Sequence, residues 1–420
     1  MNIPTKLRVS VVAILTLAGV GSAFAAGFDL PSQDAFAIAR GQAFIATADN
    51  PSAIYYNPAG IAQLKGNNLR GGIYAIYLDP NYESPSQEGK TFHNQDKLNG
   101  VPELFYTYSS ENCPVHFGLG IYSPFGLSVR WPDTTGFRTV GTRGSLKYLT
   151  FNPVVAMEVL PNFMLGGGVT VNYANVDLRQ GLFSPNTDSD EFRFRGDGWD
   201  VGYNLGALWK VCEQISLGTA FHSSTRVGLN GHTAVRNDVL LPGPIPPFSQ
   251  RRAAEADFSF PLKASAGISY RPTPKWNLEF NAEYVDWDEL GQVTIRQSAA
   301  NAVLPKDIPL TLNWQSSWYY EFGATRYLDN GWHISAGYIL NENSVPDANY
   351  TPVVADLDRH FFSIGTGFVG KRFDFDIAYQ FGYGPGRNVK GSAPSAIGQT
   401  ADGKYGFLSH AIAASVGLHF

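Results

Sequence analysis

The stretch that decides the fold is Trp276-Asn277-Leu278-Glu279-Phe280-Asn281-Ala282-Glu283-Tyr284. Every second residue is apolar, and every residue between is Asn or Glu. Such period-two alternation marks an extended strand with one apolar and one polar face. The pattern recurs along the chain. Arg372 to Tyr383 sets Phe373, Phe375, Ile377, Tyr379, Phe381 and Tyr383 against Arg372, Asp374, Asp376 and Gln380. Trp199 to Val211 sets Trp199, Val201, Tyr203, Leu205, Ala207, Trp209 and Val211 against Asp200, Asn204 and Lys210. Phe258 to Tyr270 reads as one more strand. Its apolar face holds Phe258, Phe260, Leu262, Ala264, Ala266, Ile268 and Tyr270, and its polar face Ser259, Lys263, Ser265 and Ser269.

A soluble sandwich also alternates, so the connections must decide. Short ones fall near Ser110–Pro114, Leu160–Phe163, Lys210–Glu213, Arg271–Lys275, Leu328–Gly331 and Val369–Lys371. Long ones fall near Pro80–Leu98, Ser123–Ser145, Arg179–Gly196, Arg226–Glu255, Asp288–Asn313, Asn341–Asp358 and Gly384–Lys404. Seven long and six short connections alternate strictly, which gives fourteen strands. An even strand number with tight turns at one rim and long loops at the other describes a transmembrane β-barrel. Trp199, Trp209, Trp276, Trp332 and Tyr284 stand near strand ends on the outward face, where interfacial girdles sit. The last strand, Tyr405 to Phe420, ends with Val416, Leu418 and Phe420 on one face. A terminal aromatic of this kind suits recognition by barrel-assembly machinery in the outer membrane of a Gram-negative-type bacterium.

Composition agrees. Of 420 residues, 44 are glycine, 14% are aromatic and only 16% are charged. A formal charge of −5 gives no reason to expect a nucleic-acid partner. Mean hydropathy is slightly negative, and no apolar run is long enough for a spanning helix. Residues 1–25 read as a secretory signal peptide: Lys6 and Arg8 are followed by the apolar Val9 to Val20 and by Ala23-Phe24-Ala25. The mature chain then starts at Ala26, and both termini are expected in the periplasm. The two cysteines, Cys113 and Cys212, fall in separate short turns and are expected to be unpaired.

Between leader and strands lies Asp49-Asn50-Pro51-Ser52-Ala53-Ile54-Tyr55-Tyr56-Asn57-Pro58-Ala59-Gly60. Each Asn-Pro is a turn signal, since proline fixes φ and bars the helical region to its predecessor. This compact apolar segment fits neither leader nor sheet. We assign 26–66 as a hatch that plugs a barrel spanning 67–420.

These residues resemble the FadL/TodX family of outer-membrane transporters for long-chain fatty acids and aromatic hydrocarbons. The resemblance is carried by Ala26-Gly27-Phe28, the hatch motif Asn57-Pro58-Ala59, and Tyr122-Ser123-Pro124-Phe125-Gly126-Leu127. Asn152-Pro153, Gly198-Trp199, Asn204-Leu205-Gly206 and Phe322-Gly323-Ala324-Thr325 follow in matching order. So do Ser344-Val345-Pro346-Asp347 and Asp356-Leu357-Asp358-Arg359. The family implies an all-β, 14-stranded barrel occluded by an N-terminal hatch, with cargo entering from outside and leaving sideways into the bilayer. Ser123, Pro124, Phe125 and Gly126 are then the candidate lateral gate, because Pro124 has no N–H for its neighbour and must open the ladder locally. Phe28 is the first candidate to line the ligand pocket, since the resemblance puts this end inside the barrel. Phe105, Tyr319 and Lys263 are further candidates, the lysine as a carboxylate partner. Two positions depart from the family pattern: Ala355, where proline is usual, and Gln315-Ser316, where a charged pair is common.

The expected partners are hydrophobic small molecules and outer-membrane lipid. A monomer is expected, because the barrel closes alone, and no cofactor is. Two other classes were weighed. An outer-membrane lipid hydrolase would need His222 and Ser224, which share a strand face but sit about 7 Å apart with no third partner. An open porin has no use for an apolar hatch. A metal on Asp356, Asp358 and His360 is also disfavoured, since the outer two lie about 13 Å apart in an extended chain.

Overall fold

The computed structural model describes residues 27–30, 32–110, 113–238, 246–301 and 303–420. The expected signal peptide lies outside the described residues. Twenty β-segments form a single antiparallel sheet. Six of them continue or extend another segment, leaving 20 − 6 = 14 passes through the wall. Strands 1 to 7 are Asn67–Glu83, Leu98–Ser109, Val115–Tyr122 continued by Gly126–Arg130, Arg143–Leu160, Phe163–Gln180, Asp190–Lys210, and Ile215–His222 continued by Thr225–Asn237. Strand 8 is Phe248–Phe260 continued by Lys263–Thr273. Strands 9 and 10 are Trp276–Val285 and Ser317–Tyr327, extended outward by a hairpin of Gln292–Gln297 and Asp307–Thr311. Strands 11 to 14 are Trp332–Asn341, Arg359–Val369, Phe373–Val389 and Gly403–His419.

The sheet closes on itself. Strand 1 pairs with strand 2 on one side and with strand 14 on the other, from Asn68↔His419 to Glu83↔Lys404. The first and last strands are thus paired with each other, and such closure is the condition for a sheet in hydrocarbon, where a bare N–H or C=O has no water to bind. The core is inverted relative to a soluble protein. Leu278 and Phe280 are 41% and 37% exposed, while Asn277 and Glu279 beside them are 0% and 4% exposed. The apolar face meets lipid and the polar face meets the lumen. Cys113 and Cys212 are both free and exposed.

The short turns fall where the sequence places them, but the outer ends of the strands run further than expected. Thr225–Asn237 and Phe248–Phe260 stay paired through most of the stretch read as a loop at Arg226–Glu255. Their polar surface there faces water above the membrane, so an apolar alternation is not required.

One expectation is corrected. Strand 8 does not keep a single apolar face from Phe258 to Tyr270. Ile268 and Tyr270 point outward, whereas Phe260 is fully buried and points inward, as does Lys263. Pro261 cannot donate to the ladder. Register runs Thr225↔Phe260 and then His222↔Lys263, omitting 223–224 and 261–262 from pairing. A three-residue step inverts the side-chain parity on both strands. His222 therefore faces the lumen against the Tyr55 ring while Ser224 is exposed, so the pair weighed as base and nucleophile is split.

Candidate functional site: the lumen, its N-terminal segment and an apolar cavity

The N-terminal segment lies inside the barrel and touches nearly every side of it. A helical turn, α1 (Ala35–Ala39), packs on strands 11 to 14. A second, α2 (Ala53–Tyr56), leads into a 3-10 turn, Pro58–Gln63, which packs on strands 4, 5 and 6. Asn57 caps that turn: its Oδ1 accepts from Ala59 N–H at 3.2 Å, with Pro58 at the first position, where no N–H is needed. Its Nδ2 donates to Ile45 O at 2.8 Å and to Ala207 O of strand 6 at 3.0 Å. Asn57-Pro58-Ala59 thus joins the plug to the wall.

Charge holds the rest. Arg70 of strand 1 reaches Asp34 at 2.6 Å and both Asp374 and Asp376 of strand 13 at 2.7 Å. Arg40 pairs with Glu279 of strand 9 at 3.2 Å. Lys263 of strand 8 holds Asp29 at 3.0 Å, Glu283 at 2.9 Å and the Tyr55 hydroxyl at 3.2 Å. All three ammonium hydrogens of Lys263 are committed, so it is not a vacant partner for a ligand carboxylate. Burial pushes the Asp29 carboxyl up, to about 6, against the lowering pull of Lys263.

Phe28 is the hub of the upper lumen. Its ring meets Phe125 at 6.0 Å, Phe258 and Phe260 at 5.6 Å, Trp314 at 5.5 Å and Trp287 at 4.8 Å. Above it opens a cavity of about 360 Å³ walled by Leu146, Val176, Phe192, Ile295, Leu310 and Trp314, with Arg143 and Arg179 in its lining. That volume and apolar lining suit a small-molecule site. Tyr319 lies elsewhere in the lumen, near Asp29 and Lys263. Phe105 packs on Tyr122, with rings 5.9 Å apart, among the side chains around α2. So Phe28 is in the cavity lining, and the other three candidates are not. Trp314, Asn349, Tyr350, Thr351, Val353 and Val354, all in the lining, carried no signal in the sequence that marks them as a site.

Strand 3 stops at Tyr122 and resumes at Gly126. The N-terminal segment fills the break: Leu30 N–H donates to Pro124 O, and Gly126 N–H donates to Phe28 O, both at 2.8 Å. Outward of Leu104↔Ile121, strands 2 and 3 have no paired residues among the described ones. Ser123, Pro124, Phe125 and Gly126 therefore sit at a true interruption of the wall, with Phe28 and Leu30 bonded into it.

The three metal candidates diverge. Asp356 accepts from Ser344 and Val345, Asp358 from Asn343, and His360 bonds the Tyr338 hydroxyl at 2.7 Å. Among the described residues no group of His, Cys, Asp and Glu is placed to hold a metal ion.

Outer loops roof the cavity. Arg138 is buried and clamps Asp133 and Asp190, each at 2.7 Å, and the carbonyl of Ser184 at 3.0 Å. Asp190 is the first residue of strand 6, at its outer end. Its burial would raise the carboxyl, but bonds from Leu182 N–H, Arg138 and Ser184 outweigh that and hold it below the usual carboxylate range. A carboxyl lowered in the native state stabilises it above its unfolded pKa and loses that contribution as pH falls through the native one. The expected result is that loops 131–142 and 181–189 resist protease at neutral pH and become cleavable in acid, below about pH 4. Arg138→Ala should make them cleavable at neutral pH with the barrel intact. Full protection of that variant would show the clamp to be dispensable.

The fold has solved counterparts. A Pseudomonas aeruginosa FadL homologue superposes with a TM-score of 0.82 at 19% identity, over 94% of this chain and 100% of that one. The Pseudomonas putida toluene transporter TodX superposes with a TM-score of 0.75 at 15% identity, over 94% and 99%. In sequence, the chain is 22% identical over 414 residues to the long-chain fatty acid transport protein of Salmonella typhi, covering 92% of each. Residues 16–420 match the family described as outer membrane protein transport protein (OMPP1/FadL/TodX). With a closed fourteen-strand barrel, an occluded lumen and an apolar cavity above Phe28, the chain belongs to that family of outer-membrane transport proteins for hydrophobic compounds.

Proposed function

We propose that this protein is a passive outer-membrane channel for long-chain fatty acids, closed by its hatch and emptied sideways through the break in strand 3. The carrying observation is that one short segment touches both ends of the path. Phe28 floors the apolar cavity, while its carbonyl and Leu30 N–H bond to Gly126 and Pro124. A chain seating in the cavity and shifting Phe28 strains those two bonds, and their loss uncovers the gap between strands 2 and 3. The route suits cargo that avoids water, since each CH₂ prefers an apolar wall by about 0.8 kcal/mol. No chemical step is needed, and the protein acts as a monomer with both termini in the periplasm, assembled by the outer-membrane insertion machinery. A second reading, uptake of aromatic hydrocarbons, draws on the aromatic cavity wall of Phe28, Phe192, Phe258 and Trp314.

Equilibrium binding of a long-chain fatty acid and an alkylbenzene, measured side by side, separates the two. Binding of neither ends both readings. For the exit, Pro124→Val supplies the missing N–H and a β-branched side chain, so the break is expected to tighten. Fatty-acid uptake by cells should fall several-fold with binding to purified protein unchanged; unchanged uptake would remove strand 3 from the path.

A further inference from the structure

Arg359 is among the largest fully buried side chains of the protein. Its guanidinium lies 3.7 Å from the Phe407 ring centroid, and Nη2 donates to Ala355 O at 3.3 Å. Nε and Nη1 have no hydrogen-bond partner among the described residues. Arg40, equally buried, has Glu279 against it; among the described residues Arg359 has no carboxylate in ion-pair range. Asp356 acts on it from further off, with one carboxyl oxygen already accepting from Ser344 and Val345. A buried cation without a partner is costly enough that its retention calls for an anion.

A neighbouring group shares the defect. Tyr350 and Tyr319 are both close enough to act on Arg359 electrically; the Tyr319 hydroxyl bonds Asp29, whereas that of Tyr350 is buried without a hydrogen-bond partner among the described residues. In the cavity lining, the indole N–H of Trp314 is also without a hydrogen-bond partner among the described residues. Arg359, Tyr350 and Trp314 can all donate, and the shared deficit is of acceptors. The spot adjoins the cavity: Tyr350, Val354 and Trp314 line it, and Arg359 bonds the carbonyl of the next residue, Ala355. Ala355 itself has φ +51°, an uncommon backbone conformation for a residue other than glycine.

We infer that Arg359, with the Tyr350 hydroxyl, takes the anionic head of the cargo, making a long-chain carboxylate the preferred ligand over a neutral hydrocarbon. The inference rests on the cavity above Phe28 being the cargo site. A carboxylate supplies up to four acceptor positions on two oxygens, enough for a fork of guanidinium donors and one hydroxyl. The chain then lies along the apolar wall toward Phe28.

The test is equilibrium binding, on the purified full chain, of a saturated long-chain fatty acid and of the alcohol of equal length. Wild type should favour the acid by about tenfold or more, the order expected of a hydrogen bond to a charged group. Arg359→Met should erase that preference by weakening the acid alone, and Arg359→Lys should keep part of it. Equal binding of acid and alcohol by wild type would overturn the inference while leaving the apolar cargo site standing. A preference that survives Arg359→Met and is lost in Arg143→Met would overturn it as well, moving the head to the cavity mouth. Failure of both ligands to bind would take down the cargo site and the inference together. If Arg359→Met does not fold, the wild-type ratio still decides, and Tyr350→Phe should weaken the acid and leave the alcohol unchanged.

Discussion

Arg70→Met is expected to destabilise the barrel more than any other single exchange of side chains, by at least the roughly 3–5 kcal/mol typical of breaking a buried ion pair. One guanidinium neutralises Asp34, Asp374 and Asp376, and removing it leaves all three acids without their shared cation. His333 and His419 also touch Asp376 and Asp374, at 2.7 and 2.6 Å. The loss is mechanical as well as electrostatic. Asp34 belongs to the plug, and Arg70 and the other two acids belong to wall strands. Urea unfolding in lipid vesicles, followed by tryptophan fluorescence, gives the number. Adding Asp34→Asn should recover part of the loss. The cavity of about 530 Å³ beside Arg70 and the two wall acids supplies a control on the argument. If water there screens the cluster, Arg70→Met costs less than about 1 kcal/mol, as for a surface pair, and the plug is not held by charge.

The second large effect is expected of Gly337→Val. A Cβ on Gly337 of strand 11 would overlap the backbone of Arg40 and Gly41, and neither can swing aside. Gly41 itself has φ +60°, and a Cβ there would meet the backbone of Tyr338 and Phe322 at 2.6 and 2.9 Å. Two glycines thus let plug and wall meet backbone to backbone, the close approach for which only glycine serves. Valine forces the plug inward or out. Purified Gly337→Val should pass a steady ionic current across a planar bilayer where wild type passes none. Cells carrying it should become sensitive to bulky hydrophilic antibiotics. Gly291→Ala, where the new methyl meets nothing within 4 Å, is the matched control and should remain closed. A silent Gly337→Val channel with normal ligand binding would mean the plug does not depend on that contact.

The wall was legible in the sequence because lipid outside and polar groups inside impose one rule on strand after strand. Trp276 to Tyr284 obeys it without exception, and Phe373 to Tyr383 departs from it only at the small inward residues Ala378 and Gly382. The rule fails where both environments are apolar. Above Pro261 the lumen itself is lined by Phe258 and Phe260, so nothing in the alternation reports that strand 8 has changed faces. The interruption of strand 3 could be read, because Pro124 announces it; that of strand 7 at Ser223-Ser224 has no such residue. Lys263 could be read as buried and cationic but not as already taken, since Asp29 lies more than two hundred positions earlier. Arg359 was visible as part of Asp356-Leu357-Asp358-Arg359, yet that acid-rich context suggests a satisfied surface cation. Only the fold turns Asp356 toward Ser344 and Asp358 toward Asn343, and leaves the arginine short of acceptors.

The seam between strand 1 and strand 14 also sets an order of events. Asn68 finds His419 across some three hundred and fifty residues of chain, and Glu83 finds Lys404 in the same ladder. Contacts that distant in sequence form late, because a long loop must be closed before they stabilise anything. The plug, by contrast, is made before any of the wall and contacts strands on every side of it. A cylinder that shut first would have to admit a folded plug through its rim. The simpler sequence is that the sheet curls around the plug, which acts as a mandrel, and that zipping the seam is the last act of assembly.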